Sequence, residues 1–212
     1  MSVPADPLAL AHWRRSVAEL YAAVRAQSAA DPRAAALRLR AGREHLFRNH
    51  PESPIAPEHR RAWPGLAWFP YDPEWRVTAT FERLAPGARF EIELAADGLL
   101  RCARAGCVRF ALRGAPAALE VYWLEGYGGG LWLPFSDASS GRETYGGGRY
   151  LYDTIKGADL GGDADGLVLD FNFAYNPSCA YDPRWSCPLS PPENRLPFAV
   201  TAGEKWGQTT FS

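Results

Sequence analysis

Residues 133–205 read LPFSDASSGRETYGGGRYL and then, after a short spacer, LVLDFNFAYNPSCAYDPRWSCPLSPPENRLPFAVTAGEK. Aromatic residues, Asn, Asp, Cys, Gly and Pro are interleaved throughout. The stretch is too apolar to remain disordered. It is also too interrupted by Gly and Pro to form long helices. What remains is a set of short strands whose loops fold back on a common site, so the search for function starts here. A chain of 212 residues supplies one large domain, or one domain with an appendage, and can bury a substantial core.

Upstream, the signals are helical. Asp6-Pro7 places a capping carboxylate before a proline suited to the first turn. Trp13, Val17, Leu20, Tyr21 and Val24 follow at helical spacing. Asp31-Pro32 repeats the start signal for a second helix running to about Asn49, where His50-Pro51 ends it. Its buried face reads Ala35, Leu39, Gly42, Leu46 and Phe47, and its wet face Arg38, Arg40, Arg43, Glu44 and Arg48. Residues 1–50 therefore form a helical hairpin. Residues 51–75 form an extended strap rich in proline, whose Trp63, Trp68, Phe69, Tyr71 and Trp75 either seal one end of a core or wall a ligand.

From Arg76 the period of the pattern changes to two. Val77, Ala79 and Phe81 form one alternating run, Phe90, Ile92 and Leu94 a second, Val108, Phe110 and Leu112 a third. Leu119, Val121 and Trp123 alternate with Glu120 and Tyr122. Further strands are expected over 131–135, 150–152, 167–171 and 196–201. Turn signals fall at 85–87, 97–98, 105–106 and 114–116. The fold class is α+β: two N-terminal helices packed on a mostly antiparallel β-barrel or β-sandwich over 76–206, with a tail at 207–212.

The motifs FSDASSG, TYGGGRYL, LDFNFAYNPSCAY, CPL, PENRL and AGEK occur in that order, preceded by HPESPI and FPYDP. Together they resemble the bacterial and archaeal family catalogued as domain of unknown function 1684. The resemblance implies membership and brings no activity with it.

Gly146-Gly147-Gly148-Arg149 is not a phosphate loop, because no Lys-Ser/Thr follows and it leads into a strand. Arg149 has two readings: a planar fork for a ligand carboxylate or phosphate, or an ion pair with Asp137, Asp170 or Glu143. Strand alternation puts Asp170 and Asn172 on one face and Leu169, Phe171 and Phe173 on the other, which makes Asp170 and Asn172 the expected neighbours of Arg149. The candidate ligand-binding set is Asp137, Tyr145, Arg149, Asp170, Asn172, Tyr175, Asn176, Cys179 and Glu204. Asn176 and Asn194 alternatively hold turns. No metal or cofactor is expected: Cys179 and Cys187 lack zinc-site spacing, and His12, His45, His50 and His59 all lie far upstream. The two cysteines read as buried thiols, while Cys102 and Cys107 flank an expected hairpin turn.

A net charge of -1 gives no electrostatic footprint for nucleic acid. No apolar run is long enough for a membrane span, and no signal peptide is read, so the expected location is cytoplasmic, with reduced thiols. The function expected is binding of a small molecule, with a small anionic one the favoured partner. An alternative is acid–base catalysis in the same pocket, with Asp170 or Glu204 as base and Arg149 holding an anion; no catalytic residue is assigned. A structural or partner-binding role is the other alternative, and the oligomeric state is open.

Overall fold

The computed structural model describes residues 6–85, 89–94, 98–163 and 165–207. Helices α1 (Pro7–Ser28) and α2 (Pro32–Asn49) begin at the two Asp-Pro pairs. The Asp6 carboxylate accepts hydrogen bonds from the Leu8 and Ala9 amides, at 3.0 and 2.9 Å, and Asp31 accepts one from Ala34 at 2.9 Å. These bonds satisfy amides that a helix start leaves without partners.

The wet face of α2 needs correcting. The Arg40 guanidinium lies 5.1 Å from the centre of the Trp68 ring, and Arg48 lies 5.1 Å from that of Trp63. Arg43 sits between Phe47 and Tyr175, at 5.0 and 4.7 Å from the ring centres. A guanidinium is flat and weakly hydrated, so it can stack on rings while its edge seeks acceptors. An arginine in a helical pattern therefore need not mark water.

Among the described residues seven antiparallel strands follow: β1 (Arg76–Arg83), β2 (Arg89–Leu94), β3 (Gly98–Leu112), β4 (Ala115–Leu124), β5 (Gly130–Phe135), β6 (Arg149–Asp153) and β7 (Gly166–Asp170). Their order is β6-β5-β4-β3-β1-β7, with β2 paired to β3 beyond the end of β1. The architecture is α+β, two helices and then one curled sheet, a half-barrel rather than a sandwich. β6 and β7, its two edges, are joined without a regular ladder. Tyr150 of β6 and Tyr175, just past β7, exchange backbone hydrogen bonds of 2.9 and 3.1 Å. The Tyr152 hydroxyl of β6 lies 2.8 Å from the Val168 carbonyl of β7 and 2.6 Å from that of Gly161. The edge groups thus find partners within the chain.

Each face of the sheet carries a core, while β2 and the outer residues of β1 keep a face to solvent. On one, Val108, Leu119, Val121, Leu133, Phe135 and Leu169 pack with Leu196, Val200 and Ala202 of the C-terminal segment. On the other, Cys102, Tyr122, Leu124, Trp132 and Tyr150 pack against Tyr21, Val24 and Leu39 of the helices. Tyr122, expected on the polar face of β4, is therefore buried beneath the helical layer. At β5–β6 the register shifts, which lets both Leu151 and Tyr152 join the first core.

Two expected features differ. The turn expected at 105–106 is a bulge inside the long strand β3, where the register shifts between Arg104 and Gly106. A Cβ on Gly106 would lie 2.4 Å from the Phe81 ring and 2.6 Å from the Glu82 carbonyl, so the glycine permits close strand approach. Cys102 and Cys107 consequently lie on one strand, not across a hairpin. The strand expected at 196–201 is absent; this segment runs irregularly after an isolated bridge between Ser136 and Arg195. Residues 86–87 and 97 of the turns expected at 85–87 and 97–98, and residues 208–212 of the expected tail, lie outside the described residues.

The strap seals hydrophobic surface. Trp63 and Ile55 cluster with Phe47 of α2, Trp75 enters the sheet core, and the Phe69 amide donates to the Gly203 carbonyl at 3.0 Å. Among the described residues no helix is long and apolar enough to cross a membrane.

His50 closes α2 and is held neutral. The Glu52 amide donates to its Nδ1 at 3.0 Å, and its Nε2 lies 2.9 Å from His12 Nδ1. Protonating Nδ1 breaks the first bond. Burial, followed by the neighbouring His12, lowers the His50 pKa, against a smaller opposing effect of Glu52. The resulting stability is complete above the ordinary value of about 6.5 and is lost as pH falls towards the lowered folded value. Urea unfolding followed between about pH 7.5 and pH 5.5 is expected to show declining stability in this window, and His50→Gln is expected to flatten that decline.

Candidate functional site

Arg149 opens β6 directly after the three glycines. Gly148 has φ 88°, and a Cβ there would lie 2.7 Å from the Phe135 carbonyl and 2.6 Å from Ser190 Cβ. Only glycine suits such a turn against β5. The Arg149 guanidinium is fully buried over the Phe135 ring, 5.0 Å from its centre. Nη2 donates to Asp137 Oδ2 at 2.8 Å and to the Val200 carbonyl at 3.0 Å. Nη1 donates to the Ala202 carbonyl and, at 3.3 Å, to that of Glu204. Asp137 Oδ1 accepts from the amide and hydroxyl of Ser139. One fork thus holds alternate carbonyls of the 200–204 segment. A side chain takes the place of a neighbouring strand, which is why this apolar segment needs no ladder. Of the two readings of Arg149, the geometry is that of the internal ion pair, with Asp137 as partner.

Asp170 and Asn172 form a separate cluster, correcting the expectation that they adjoin Arg149. β7 ends at Asp170, and Phe171–Phe173 is a 3-10 turn, so strand alternation stops there. Asp170 Oδ1 accepts from the Asn172 amide at 3.0 Å and from its side-chain nitrogen at 2.8 Å. Asn172 exchanges hydrogen bonds with the Asp72 backbone at 3.0 and 2.8 Å, while Arg76 links Asp170 to Ser28 of α1. Burial raises the Asp170 pKa, opposed by the bonds from Asn172 and by Arg76. This cluster ties the strap and α1 to the end of β7.

Glu204 connects the Arg149 cluster to the helices. It is completely buried; Oε2 accepts from Arg43 Nη2 at 3.0 Å and from the Asn176 amide at 3.2 Å. Burial raises its pKa, and Arg43 draws it back. Beside this pair lies a cavity of about 280 Å³ between the helices and the sheet. Its walls include Trp13, Tyr21, Arg43, Tyr150, Tyr175 and Asn176. The more exposed lining residues include Arg14, Glu52 and Lys156. The Tyr21 and Tyr175 hydroxyls, Asn176 Oδ1 and Arg43 Nε are buried with no hydrogen-bond partner among the described residues. Burial pushes the phenol pKa values up, so both hydroxyls remain neutral at pH 7, each able to donate and accept.

The expected site residues therefore divide. Tyr175 and Asn176 line the cavity, and Glu204 stands behind Arg43. The Tyr145 hydroxyl lies 3.6 Å from Cys179 Sγ, in the loop that carries the lining residue Cys187. Asp137, Arg149, Asp170 and Asn172 are buried but do not line this cavity. Tyr21 and Arg43 were not in the expected set. A signal for Arg43 exists: it stands four residues after Leu39 and four before Phe47, on the apolar row of α2.

Arg149→Met is expected to leave Asp137 buried without its cation and to destabilise the protein by about 3–5 kcal/mol. The urea midpoint measures this. Wild-type stability in that variant would contradict the role assigned to the fork.

Comparison with known proteins places these residues in context. Residues 61–205 match the family model described as protein of unknown function (DUF1684). The uncharacterized protein from gene locus rrnAC0354 of Haloarcula marismortui, whose solution NMR structure is known, is similar at 35% identity, with a TM-score of 0.56. That similarity covers 78% of this chain and 89% of the Haloarcula chain. No curated protein matches. The matched span holds the whole sheet, the Arg149 cluster, Asp170 with Asn172, Asp72 and Arg76, and Glu204, and on that span the chain belongs to the family described as protein of unknown function (DUF1684).

Proposed function

We propose that this protein binds a small anionic molecule in the cavity between the helical hairpin and the sheet. The observation that carries this reading is the set of buried polar atoms around that one space that have no partner among the described residues: Tyr21 Oη, Tyr175 Oη, Asn176 Oδ1 and Arg43 Nε. Leaving such a group unsatisfied costs about 1–3 kcal/mol, so several around one cavity call for a polar occupant. The Trp185 indole N–H, also unpartnered, lines the same space. Arg43 Nε and Trp185 Nε1 can only donate, Asn176 Oδ1 can only accept, and the two hydroxyls can do either, so an acceptor-rich ligand can meet four donors here. Arg14 and Lys156 add positive charge, against Glu52. Glu204 fixes the Arg43 fork and leaves Nε as its free edge. The volume, near the lower end of ligand pockets, limits the occupant to a small molecule.

Native mass spectrometry of the purified protein, followed by thermal-shift and calorimetric titration with small carboxylates and phosphate esters, tests the reading. A bound species or a saturable shift is expected. Tyr21→Phe and Tyr175→Phe each remove a hydroxyl and keep the ring. Both are expected to leave the ligand-free melting temperature unchanged or raised, and to weaken binding roughly 2- to 10-fold. No adduct and no shift across the panel, or marked destabilisation of the ligand-free Phe variants, would defeat it.

A further inference from the structure

The edges at β6 and β7 meet, but the sheet has a further edge. β1 and β2 lie in line along the same side of β3, with Arg83 opposite Gly106 and Arg89 opposite Ala103. The other side of β1 is taken by β7, which pairs with residues 76–80. Past that contact, β2 pairs only with β3 among the described residues, and no backbone hydrogen bond from another described segment reaches residues 89–94. One row of its N–H and C=O groups is thus a template on which another strand can pair.

The side chains of β2 specify which strand fits. Arg89, Glu91 and Glu93 share one exposed face, while Phe90, Ile92 and Leu94 share the other and are only half-buried. Phe90 and Ile92, with Tyr122, Leu189 and Pro191, line an open groove of about 470 Å³. Arg89 bonds Glu125 at 2.6 Å, yet its side chain is 79% exposed. Glu91 pairs with Arg101 at 3.1 Å, whereas Glu93 has no ion-pair partner among the described residues. A matching antiparallel strand brings a cation to Glu93 and an acid to Arg89, with apolar residues on its other face. β2 read in reverse is such a strand.

We propose that β2 pairs with β2 of a second copy, antiparallel about a two-fold axis at Glu91, so that one sheet runs through a dimer. Directly opposed residues of an antiparallel pair point to the same side, so the charged faces must meet each other and the apolar faces likewise. With Glu91 on the axis, Arg89 of each copy faces Glu93 of the other, and Phe90 faces Ile92. Such opposite-charge and aromatic–β-branched pairs are the stabilising unit of a sheet. The two Glu91 side chains meet at the axis, each already answered by its own Arg101. An axis at Ile92 instead sets Glu91 against Glu93 twice. An axis at Phe90 keeps Arg89 opposite an acid but leaves Glu93 without its cation and shortens the overlap. One patch used by both copies is what a two-fold interface requires.

Sedimentation velocity of the full chain over a concentration series tests this. A reversible dimer is expected, with amide hydrogen exchange over residues 89–94 slowing as concentration rises. Arg89→Glu and Glu93→Arg each set like charges at both contacts, and each is expected to weaken dimerisation at least ~5-fold. In an equimolar mixture of these two variants opposite charges again face each other at both contacts, so a mixed dimer of wild-type strength is expected. Circular dichroism checks that the variants fold. The proposal fails if the wild-type chain is monomeric at every concentration, if each variant alone dimerises as the wild type does, or if folded variants do not associate on mixing. A monomeric chain whose β2 amides are protected by an added basic peptide defeats it too, and assigns the edge to a foreign strand. The wild-type series decides even if a variant does not fold.

Discussion

The C-terminal segment depends on one buried guanidinium. Residues 196–204 carry Leu196, Val200 and Ala202 into the sheet core, yet they pair with no strand over most of that length. Their carbonyls would face an apolar interior without partners, a situation native folds avoid. Arg149 resolves it by supplying donors to positions 200, 202 and 204, while Asp137 balances its charge. The cost of burying the ion pair is offset by the hydrogen bonds of both terminal nitrogens, while Nε has no partner among the described residues. Because Glu204 is also the partner of Arg43, the same segment fixes the polar wall beneath the helices. Turn, segment and cavity wall are thus consequences of one residue placed after three glycines.

Much of this was legible in the sequence, where local chemistry decides the outcome. Both helix starts were readable because Asp-Pro supplies a cap and a fixed φ within two residues. The strands were readable where one face is polar, as in β1 and β2. Reading failed where tertiary context overrides the local pattern. Tyr122 looked exposed because alternation assumes one wet face, whereas the helices cover both Tyr122 and Trp132. Gly106 looked like a turn because a glycine needed for close strand packing has the same letter as one needed for a bend.

The candidate site was less legible than the fold, for a related reason. Asp137, Asp170, Asn172 and Glu204 were all singled out as polar residues in apolar surroundings, and all four are fully buried. Sequence cannot tell whether such a group awaits a ligand or holds a loop, because both uses demand burial with hydrogen bonds. Only the partners distinguish them: Asp170 answers to Asn172 and Arg76, whereas Tyr175 Oη answers to nothing among the described residues. The cavity also draws Tyr21 and Arg43 from helices that precede the matched span 61–205. A motif-centred reading looks only at its own half of such a wall.

The join between β6 and the chain beyond β7 has a mechanical corollary. Two backbone hydrogen bonds between Tyr150 and Tyr175, with the Tyr152 hydroxyl nearby, fasten this line, whereas β3 and β4 share a ladder along almost their whole length. Opening the join sacrifices fewer backbone bonds than opening that ladder, and what holds it besides is the packing of the two buried tyrosine rings against each other. Tyr150 and Tyr175 are also cavity walls. The seam that closes the half-barrel is therefore also a wall of its polar cavity, so any change in one is felt by the other.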